Sequence, residues 1–412
     1  MTVNLKPSEL RGTIPAICSK SDVHRILLCA ALADVPTEIK INSKSPLSVD
    51  ILATAEVIRE LGADVAVRAG SFVITPSGET VTEPHFDCKE SGSTLRFLLP
   101  VAAARTVRPS FEGSGRLPER PIGELLDALK SGGITVSAPK LPFSFDGKLH
   151  AGTFTLPGNV SSQYITGLLL ALPLLDGDSE IKLTTKLESA AYVDITLHAL
   201  KRFGIKVEKL ENGYFVPGNQ QYTSPGVIEA DGDWSNSAFF LVADAIGGGI
   251  EVTGLDNSSP QGDKAIVEII EQYKGENGSL KAQTVDLKEI PDMLPILAIL
   301  AANSIGRSTF TGGERLRLKE SDRIMSVHKM IESLGGKAEE TEDGLIVYGK
   351  DEAPLCGGTV DSYNDHRIVM AAAIGAMYAG GETVINDAKA VNKSYPSFFE
   401  DLKLLGGVAN VI

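Results

Sequence analysis

The sequence predicts an α/β protein of two domains, each assembled from three repeated units of about 70 residues. Three observations lead there. Six segments share a small or polar turn followed by an almost wholly apolar helical run. They begin near Ser19, Ser91, Ser161, Asp233, Pro291 and Asn364, spaced 72, 70, 72, 58 and 73 residues apart. Six amphipathic segments alternate with these and stop at Gly62, Gly132, Gly204, Gly275, Gly335 and Gly406, spaced 70, 72, 71, 60 and 71. Short alternating stretches flank the helices and read as strands. Two independent markers with one period account for the whole chain.

In order, strand-like segments at 3–5 and 12–17 precede the first complete unit and are expected to pair with the C-terminal half. The first apolar run, from Ser19, leads to a predicted strand over 37–42, an amphipathic helix over 48–61 and a strand over 72–75. The second run starts at Ser91 and is followed by an amphipathic helix over 122–130. The third starts at Ser161 and precedes strands over 180–184 and 214–217. Runs from Asp233, Pro291 and Asn364 open the remaining units. The apolar helices lack a polar face, which predicts burial on every side, whereas the amphipathic ones carry a charged stripe for solvent. A glycine just past a helix end supplies a left-handed cap without steric cost. The short fourth interval and the loop 225–231 mark the place where the domains divide.

Composition removes several function classes. With 39 Lys plus Arg against 53 Asp plus Glu, the net charge is −14. That balance argues against a general nucleic-acid or anionic-membrane binder. The N-terminus shows no basic region followed by an apolar core, so no signal peptide is expected. The longest apolar stretches, 164–175 and 293–302, are too short to cross a bilayer. Cys18, Cys29, Cys88 and Cys356 lie far apart and read as reduced thiols of a cytoplasmic protein. No phosphate-binding P-loop, dinucleotide fingerprint or nucleophile-elbow motif occurs, and the six histidines lack metal-ligand spacing.

The starts of the apolar helices carry the chemistry. Lys20, Ser21 and Arg25 open the first; Ser91, Gly92, Ser93, Thr94 and Arg96 the second; Ser161, Ser162 and Gln163 the third. Asp292 opens the fifth, and His366 and Arg367 the sixth. Helix N-termini bind anions through free N–H groups, and Ser and Asp there are also ordinary N-caps. The cations decide between the two meanings. The dipole disfavours positive charge in a first turn, and burial beside apolar runs is costly. Cations so placed in an acidic protein point to an anionic ligand. Further basic clusters are Arg116 with Arg120, Arg315 through Lys319 to Arg323 with Glu320 and Asp322 between, and Lys393 before Pro396. Asp292 and Glu320, with Asp233 as a third candidate, are available for proton transfer at a metal-free site.

In order from residue 20 to residue 396, these motifs resemble the 5-enolpyruvylshikimate-3-phosphate synthase family, the 3-phosphoshikimate 1-carboxyvinyltransferases. Asn364, Asp365, His366 and Arg367, together with Lys319, Glu320, Ser321, Asp322 and Arg323, are its most specific matches. The resemblance implies a two-domain inside-out α/β barrel, with 19–232 as one domain, mostly the shikimate 3-phosphate side. Residues 1–18 plus 233–412 would form the other, with the catalytic carboxylates and much of the phosphoenolpyruvate site. It implies transfer of the enolpyruvyl group of phosphoenolpyruvate to the 5-hydroxyl of shikimate 3-phosphate, with release of phosphate and without cofactor or metal. Lys20, Ser21, Arg25, Ser161, Ser162, Gln163, Ser189, Asp292 and Lys319 would hold shikimate 3-phosphate, with Tyr192 near its ring. Lys20, Gly92, Arg116, Gln163, Arg323, Arg367 and Lys393 would hold phosphoenolpyruvate. Asp292, Glu320 and Lys20 would be catalytic, Asp292 as proton acceptor and Glu320 as proton donor. A monomer is expected, open without ligand because its cations repel one another and closing when ligands bind.

The chain departs from common family patterns at Glu90-Ser91, Phe97 and Arg315. The rivals are UDP-N-acetylglucosamine enolpyruvyl transferase and a catalytically dead phosphometabolite-binding relative. Against the first, Lys20 is followed by Ser21 and the loop around Arg116 has no cysteine. Against the second stand both Asp292 and Glu320.

Overall fold

The computed structural model describes residues 1–41, 45–275 and 278–412. Asn42, the end of the first predicted strand after Ser19, lies outside the described residues. In chain order the helices of the first part are α1 (Lys20–Ala31), α2 (Val49–Glu60), α3 (Gly92–Arg105), α4 (Gly123–Ser131), α5 (Ser162–Ala171) and α6 (Ala190–Arg202). Those of the second are α7 (Trp234–Gly247), α8 (Ile266–Tyr273), α9 (Leu294–Ala302), α10 (Arg323–Ser333), α11 (His366–Met377) and α12 (Phe398–Leu404). Odd-numbered helices are the apolar runs. Every residue of α9 and α11 is buried.

Polar turns before these helices act as caps. Ser19, Ser91, Ser161, Asp233 and Asp365 each accept a backbone N–H of the first turn. Only α9 starts differently, out of a 3-10 turn (Pro291–Met293) that carries Asp292. Four of the predicted glycine stops, Gly62, Gly204, Gly335 and Gly406, are left-handed. Two are not. Gly132 has φ −83° and passes the left-handed turn to Gly133, while α8 ends through an extended Lys274, so Gly275 is not the cap.

Among the described residues, five four-stranded sheets share one pattern, a parallel pair followed by two antiparallel pairings. In the first, Val227–Glu229 runs parallel to Thr37–Lys40, which pairs antiparallel with Ser71–Thr75 and so on to Asp64–Arg68. The others are centred on Ser110–Glu112, Ser179–Leu183, Arg307–Thr311 and Thr383–Asn386. Around α7 the arrangement shrinks to Gly249–Thr253 parallel to Arg11–Pro15. This smaller sheet is the physical source of the short fourth interval. The N-terminal strand Val3–Lys6 lies between Thr383–Asn386 and Val408–Val411, so the chain start completes a sheet of the C-terminal part.

Two apolar cores result, with no shared residue. One draws on residues 23–230, the other on 3–17 together with 234–409. Where the chain passes between them, Cys18 bridges Gly232, Ser19 N donates to Asp231 O at 2.7 Å and Asp233 N donates to Ile17 O at 2.8 Å. The two crossing segments therefore run side by side. In the first body Gly167 lets α5 lie directly against α3, since a Cβ there would collide with the Arg96 carbonyl. Buried threonines tie inner to outer helices: Thr54 of α2 to Thr94 of α3, and Thr166 of α5 to Thr196 of α6, both at 2.7 Å.

Candidate active site

A cavity lies between the two bodies. From the first body, Arg96, Arg120, Ser161, Ser162, Gln163, Ser189 and Tyr192 line it; from the second, Asp292, Arg315 and Lys319. The capped starts of α3 and α5 bring Arg96 and Gln163 together, with Arg96 Nη1 donating to Gln163 Oε1 at 2.7 Å. Gln163 Nε2 donates to Ser93 Oγ at 2.9 Å, which fixes the amide between two helix starts.

The carboxylates sit in a net of cations. Asp292 Oδ1 meets Arg323 Nη1 at 2.7 Å and Lys319 Nζ at 3.2 Å, while Arg367 Nη2 lies 3.5 Å from Oδ2. Tyr192 OH, from the other body, donates to Asp292 Oδ2 at 2.9 Å. Burial works to raise the Asp292 pKa, but Lys319, Arg367 and Arg323 outweigh it and hold the carboxyl well below its ordinary range. Glu320 accepts from Arg323 Nη2 at 2.6 Å and, across the cleft, from Arg120 Nη1 at 3.4 Å. Burial again opposes ionisation, and Arg120 and Arg323 again prevail. Asp365, the cap of α11, accepts Arg323 Nε at 2.9 Å and fixes the guanidinium from behind.

Other cations have no carboxylate within ion-pair distance among the described residues. Arg25 is 2% exposed and donates to Thr196 Oγ1 at 2.8 Å and to Tyr192 O at 2.9 Å. Burial depresses its pKa to about 10. Arg96, 3% exposed, is likewise pushed by burial, and then by Arg120, to about 10. Charged groups this deeply buried without a counterion gain from an anionic ligand. His366 is buried with no hydrogen-bond partner on either ring nitrogen among the described residues, and burial, then Lys20 and Arg367, hold its pKa well below the ordinary value.

Of the residues expected at the site, Ser161, Ser162, Gln163, Ser189, Asp292 and Lys319 line the cavity. Glu320, Arg323 and Arg367 join it through the carboxylate net. Lys20, Ser21 and Arg25 share the start of α1 outside the lining, and the Lys20 ammonium is paired with Asp50 at 2.8 Å. Lys393 donates to Glu90 Oε2 at 2.9 Å. Gly92, the first residue of α3, faces Arg96 and Arg120; a Cβ there would stand 2.7 Å from Arg120 Nη1. Arg116 does not line the cavity; its side chain is 46% exposed and lies 4.0 Å from Glu119. The 3-10 turn Leu117–Glu119 turns the chain so that Arg120, four residues on, enters instead. Arg96 and Arg315 also line the cavity, although the family resemblance assigned neither to a substrate. Arg315 Nε meets Glu188 at 2.9 Å across the cleft, and Nη2 donates to Ser189 Oγ at 2.9 Å. Arg96 and Arg120 were visible as cations next to helix starts; Glu188 gave no such signal.

Cations delivered from two α/β bodies around paired carboxylates define an enzyme that handles multiply anionic small molecules. Residues 5–402 match the family model for EPSP synthase (3-phosphoshikimate 1-carboxyvinyltransferase). The 3-phosphoshikimate 1-carboxyvinyltransferase of Clostridium novyi (strain NT) is 39% identical, with 98% of each chain covered. That of Methanocorpusculum labreanum is also 39% identical, over 98% of this chain and 99% of the relative. Among solved structures, EPSP synthase from Acinetobacter baumannii superposes with a TM-score of 0.80 at 23% identity, covering both chains fully. The enolpyruvyl transferase NikO from Streptomyces tendae gives 0.79 at 17% identity, over 99% of this chain and 98% of its own. At such identities these two structures speak to the mixed α/β fold alone. The chain belongs to the EPSP synthase family, and it is a carboxyvinyltransferase of the shikimate route to aromatic amino acids.

Proposed function

We propose that the cavity is where shikimate 3-phosphate and phosphoenolpyruvate meet, and that this chain's residues divide the reaction as follows. Lys20, Ser21, Arg25, Ser161, Ser162, Gln163, Ser189, Asp292 and Lys319 hold shikimate 3-phosphate, with Tyr192 beside its ring. Lys20, Gly92, Arg120, Gln163, Arg323, Arg367 and Lys393 hold phosphoenolpyruvate, Arg120 taking the part first expected of Arg116. Gathering cations offsets the mutual repulsion of the two anions and orients them for attack.

The 5-hydroxyl oxygen bonds to C2 of phosphoenolpyruvate as its proton passes to Asp292. The C2–C3 π pair takes a proton from Glu320 at the methylene carbon, giving a tetrahedral intermediate. The C2–O bond to phosphate then breaks, the C3 proton returns to Glu320 and the double bond reforms. The proton held by Asp292 leaves with phosphate. Both carboxyls have depressed pKa values among their cations. Substrate anions that draw Arg120 and Lys319 to themselves, while Arg323 keeps its hold, raise both toward working range.

One observation carries this assignment. A single guanidinium, Arg323, grips both carboxylates, Asp292 at 2.7 Å and Glu320 at 2.6 Å. The acid and the base are thereby fixed relative to each other, as proton transfer at adjacent atoms requires. Glu320→Gln keeps the shape and removes the acid, so phosphate release should slow by about 10²–10⁴-fold while both substrates still bind. Near-normal turnover in that variant removes Glu320 from the mechanism.

The repeated sheet pattern and the two separate cores support a two-domain inside-out α/β barrel of six units, three per domain. In this reading 19–232 is one domain and 1–18 plus 233–412 the other. We read the protein as a cytoplasmic monomer; the four free thiols, two of them fully buried, accord with a reducing compartment.

A further inference from the structure

Glu90 is a carboxylate that the mechanism does not use. It precedes Ser91, the cap of α3, and stands two residues before Gly92. Its Oε2 accepts from Lys393 Nζ at 2.9 Å and from Asn364 Nδ2 at 3.0 Å, both on the other body. Lys393 Nζ also donates to Asn364 O at 2.8 Å, so two of its three N–H groups are engaged and the residue is only 9% exposed. A second observation shows that the place for this carboxylate is built. Gly115 has φ +58°, and a Cβ there would fall against the Glu90 carboxylate, 2.6 Å from its Cδ. The glycine leaves room on one side while the lysine and asparagine clasp the other.

We propose that Glu90 sets the affinity of the site for the enolpyruvyl donor, by holding the Lys393 ammonium as an internal anion that the donor must displace or share. The inference rests on the reading of Lys393 as a phosphoenolpyruvate ligand. A donor with both a carboxylate and a phosphate can outbid a single carboxylate for the ammonium; a singly charged analogue competes on equal terms. Glu90 thus raises the charge threshold for occupying that end of the cleft. It is a positioning residue, acting through Lys393.

The pair also bridges the two bodies, so its loss has two separable effects. Release of Lys393 acts on the donor alone, whereas a looser cleft acts on both substrates. Glu90→Gln is nearly isosteric, can still accept from Asn364 and removes the charge. Its KM for phosphoenolpyruvate should fall about two- to fivefold, the range for a partly exposed ion pair. The KM for shikimate 3-phosphate should hold or rise, and kcat should change less than the donor KM. Lys393→Gln, measured beside it, should raise the donor KM. If Lys393→Gln weakens the donor but Glu90→Gln leaves its KM unchanged or raises it, the inference about Glu90 fails by itself. If Lys393→Gln leaves the donor KM unchanged, the assignment of Lys393 fails, and the inference with it.

Discussion

Adding one methyl group at Gly92 tests the donor end of the site with little disturbance elsewhere. Gly92 is the first residue of α3 and its φ lies outside the left-handed region, so alanine suits the backbone there. The new Cβ would stand 2.7 Å from Arg120 Nη1, 2.9 Å from Arg96 Nη1 and 3.0 Å from Arg120 Cζ. Ordinary contact begins near 3.4 Å, so both guanidinium groups must retreat by about half an ångström. Neither moves freely. Arg96 is held by Gln163 at 2.7 Å and Pro121 O at 2.9 Å, and Arg120 by Glu320 at 3.4 Å. Overpacking of this kind costs about 1–3 kcal/mol, or roughly 5- to 150-fold in an equilibrium constant. The cost falls on Arg120, proposed to hold phosphoenolpyruvate, and on Arg96 beside it. In a steady-state phosphate-release assay, Gly92→Ala should raise the donor KM within that range and leave the shikimate 3-phosphate KM within about twofold. Thermal stability should fall by less than that cost, because alanine is the better helix residue and offsets part of it. An unchanged donor KM would refute the placement of these arginines, and an equal rise for both substrates would show a general distortion of the cavity.

Further outcomes follow from the same geometry. Arg120→Ala should raise the donor KM by about tenfold or more, since it removes a charge-assisted contact, whereas Arg116→Ala should leave both KM values within about twofold; the reverse order restores Arg116 to the site. Asp263 is buried, and its pKa is raised to about 6, chiefly by burial. The folded state therefore holds that proton more tightly than the unfolded chain, so this contribution to stability is present below about pH 4 and lost as pH rises through 6. Relative to wild type, the Tm of Asp263→Asn should gain between pH 5 and pH 8; no relative gain contradicts the assignment. Without substrates, small-angle scattering should show a larger radius of gyration in about 1 M salt than in low salt, and both substrates should reverse it. A radius indifferent to salt and substrate would mean that the two bodies do not hinge.

Much of this architecture can be read from periodicity because burial on every side leaves no polar face, and six such helices at one spacing fit few architectures besides a stack of repeated units. The glycine markers were weaker guides. Gly132 shares its turn with Gly133, and α8 leaves through an extended lysine, so the spacing survives where the local geometry does not. At the site, helix-start cations such as Arg25 and Arg96 stood out because the dipole and the apolar surroundings both disfavour them. The loop 116–121 offered two arginines to the same argument, and only the 3-10 turn between them decides which one faces inward. Cross-cleft partners were beyond reach. Glu90 and Lys393 are 303 residues apart, and Glu188 has no unusual neighbour in sequence to mark it as the partner of Arg315.

These partners change the expected cause of opening. Self-repulsion among bare cations would hold an empty cleft apart, but the structure shows most of them engaged. Asp292 and Glu320 together meet Lys319, Arg323, Arg367 and Arg120, and Glu90 meets Lys393. Both signs of charge come from each body. In two pairs the first body supplies a glutamate, Glu90 or Glu188, and the second a cation, Lys393 or Arg315. In a third the first body supplies Arg120 and the second Glu320. Such pairing makes closure attractive by itself, and it makes the same groups serve two partners. A substrate anion that takes Arg120 or Lys393 frees a carboxylate, and the freed Glu320 then holds a proton more readily. On the proposed assignment, binding, closure and the readiness of the acid are one coupled exchange of ion pairs, and the two substrates should bind with positive cooperativity.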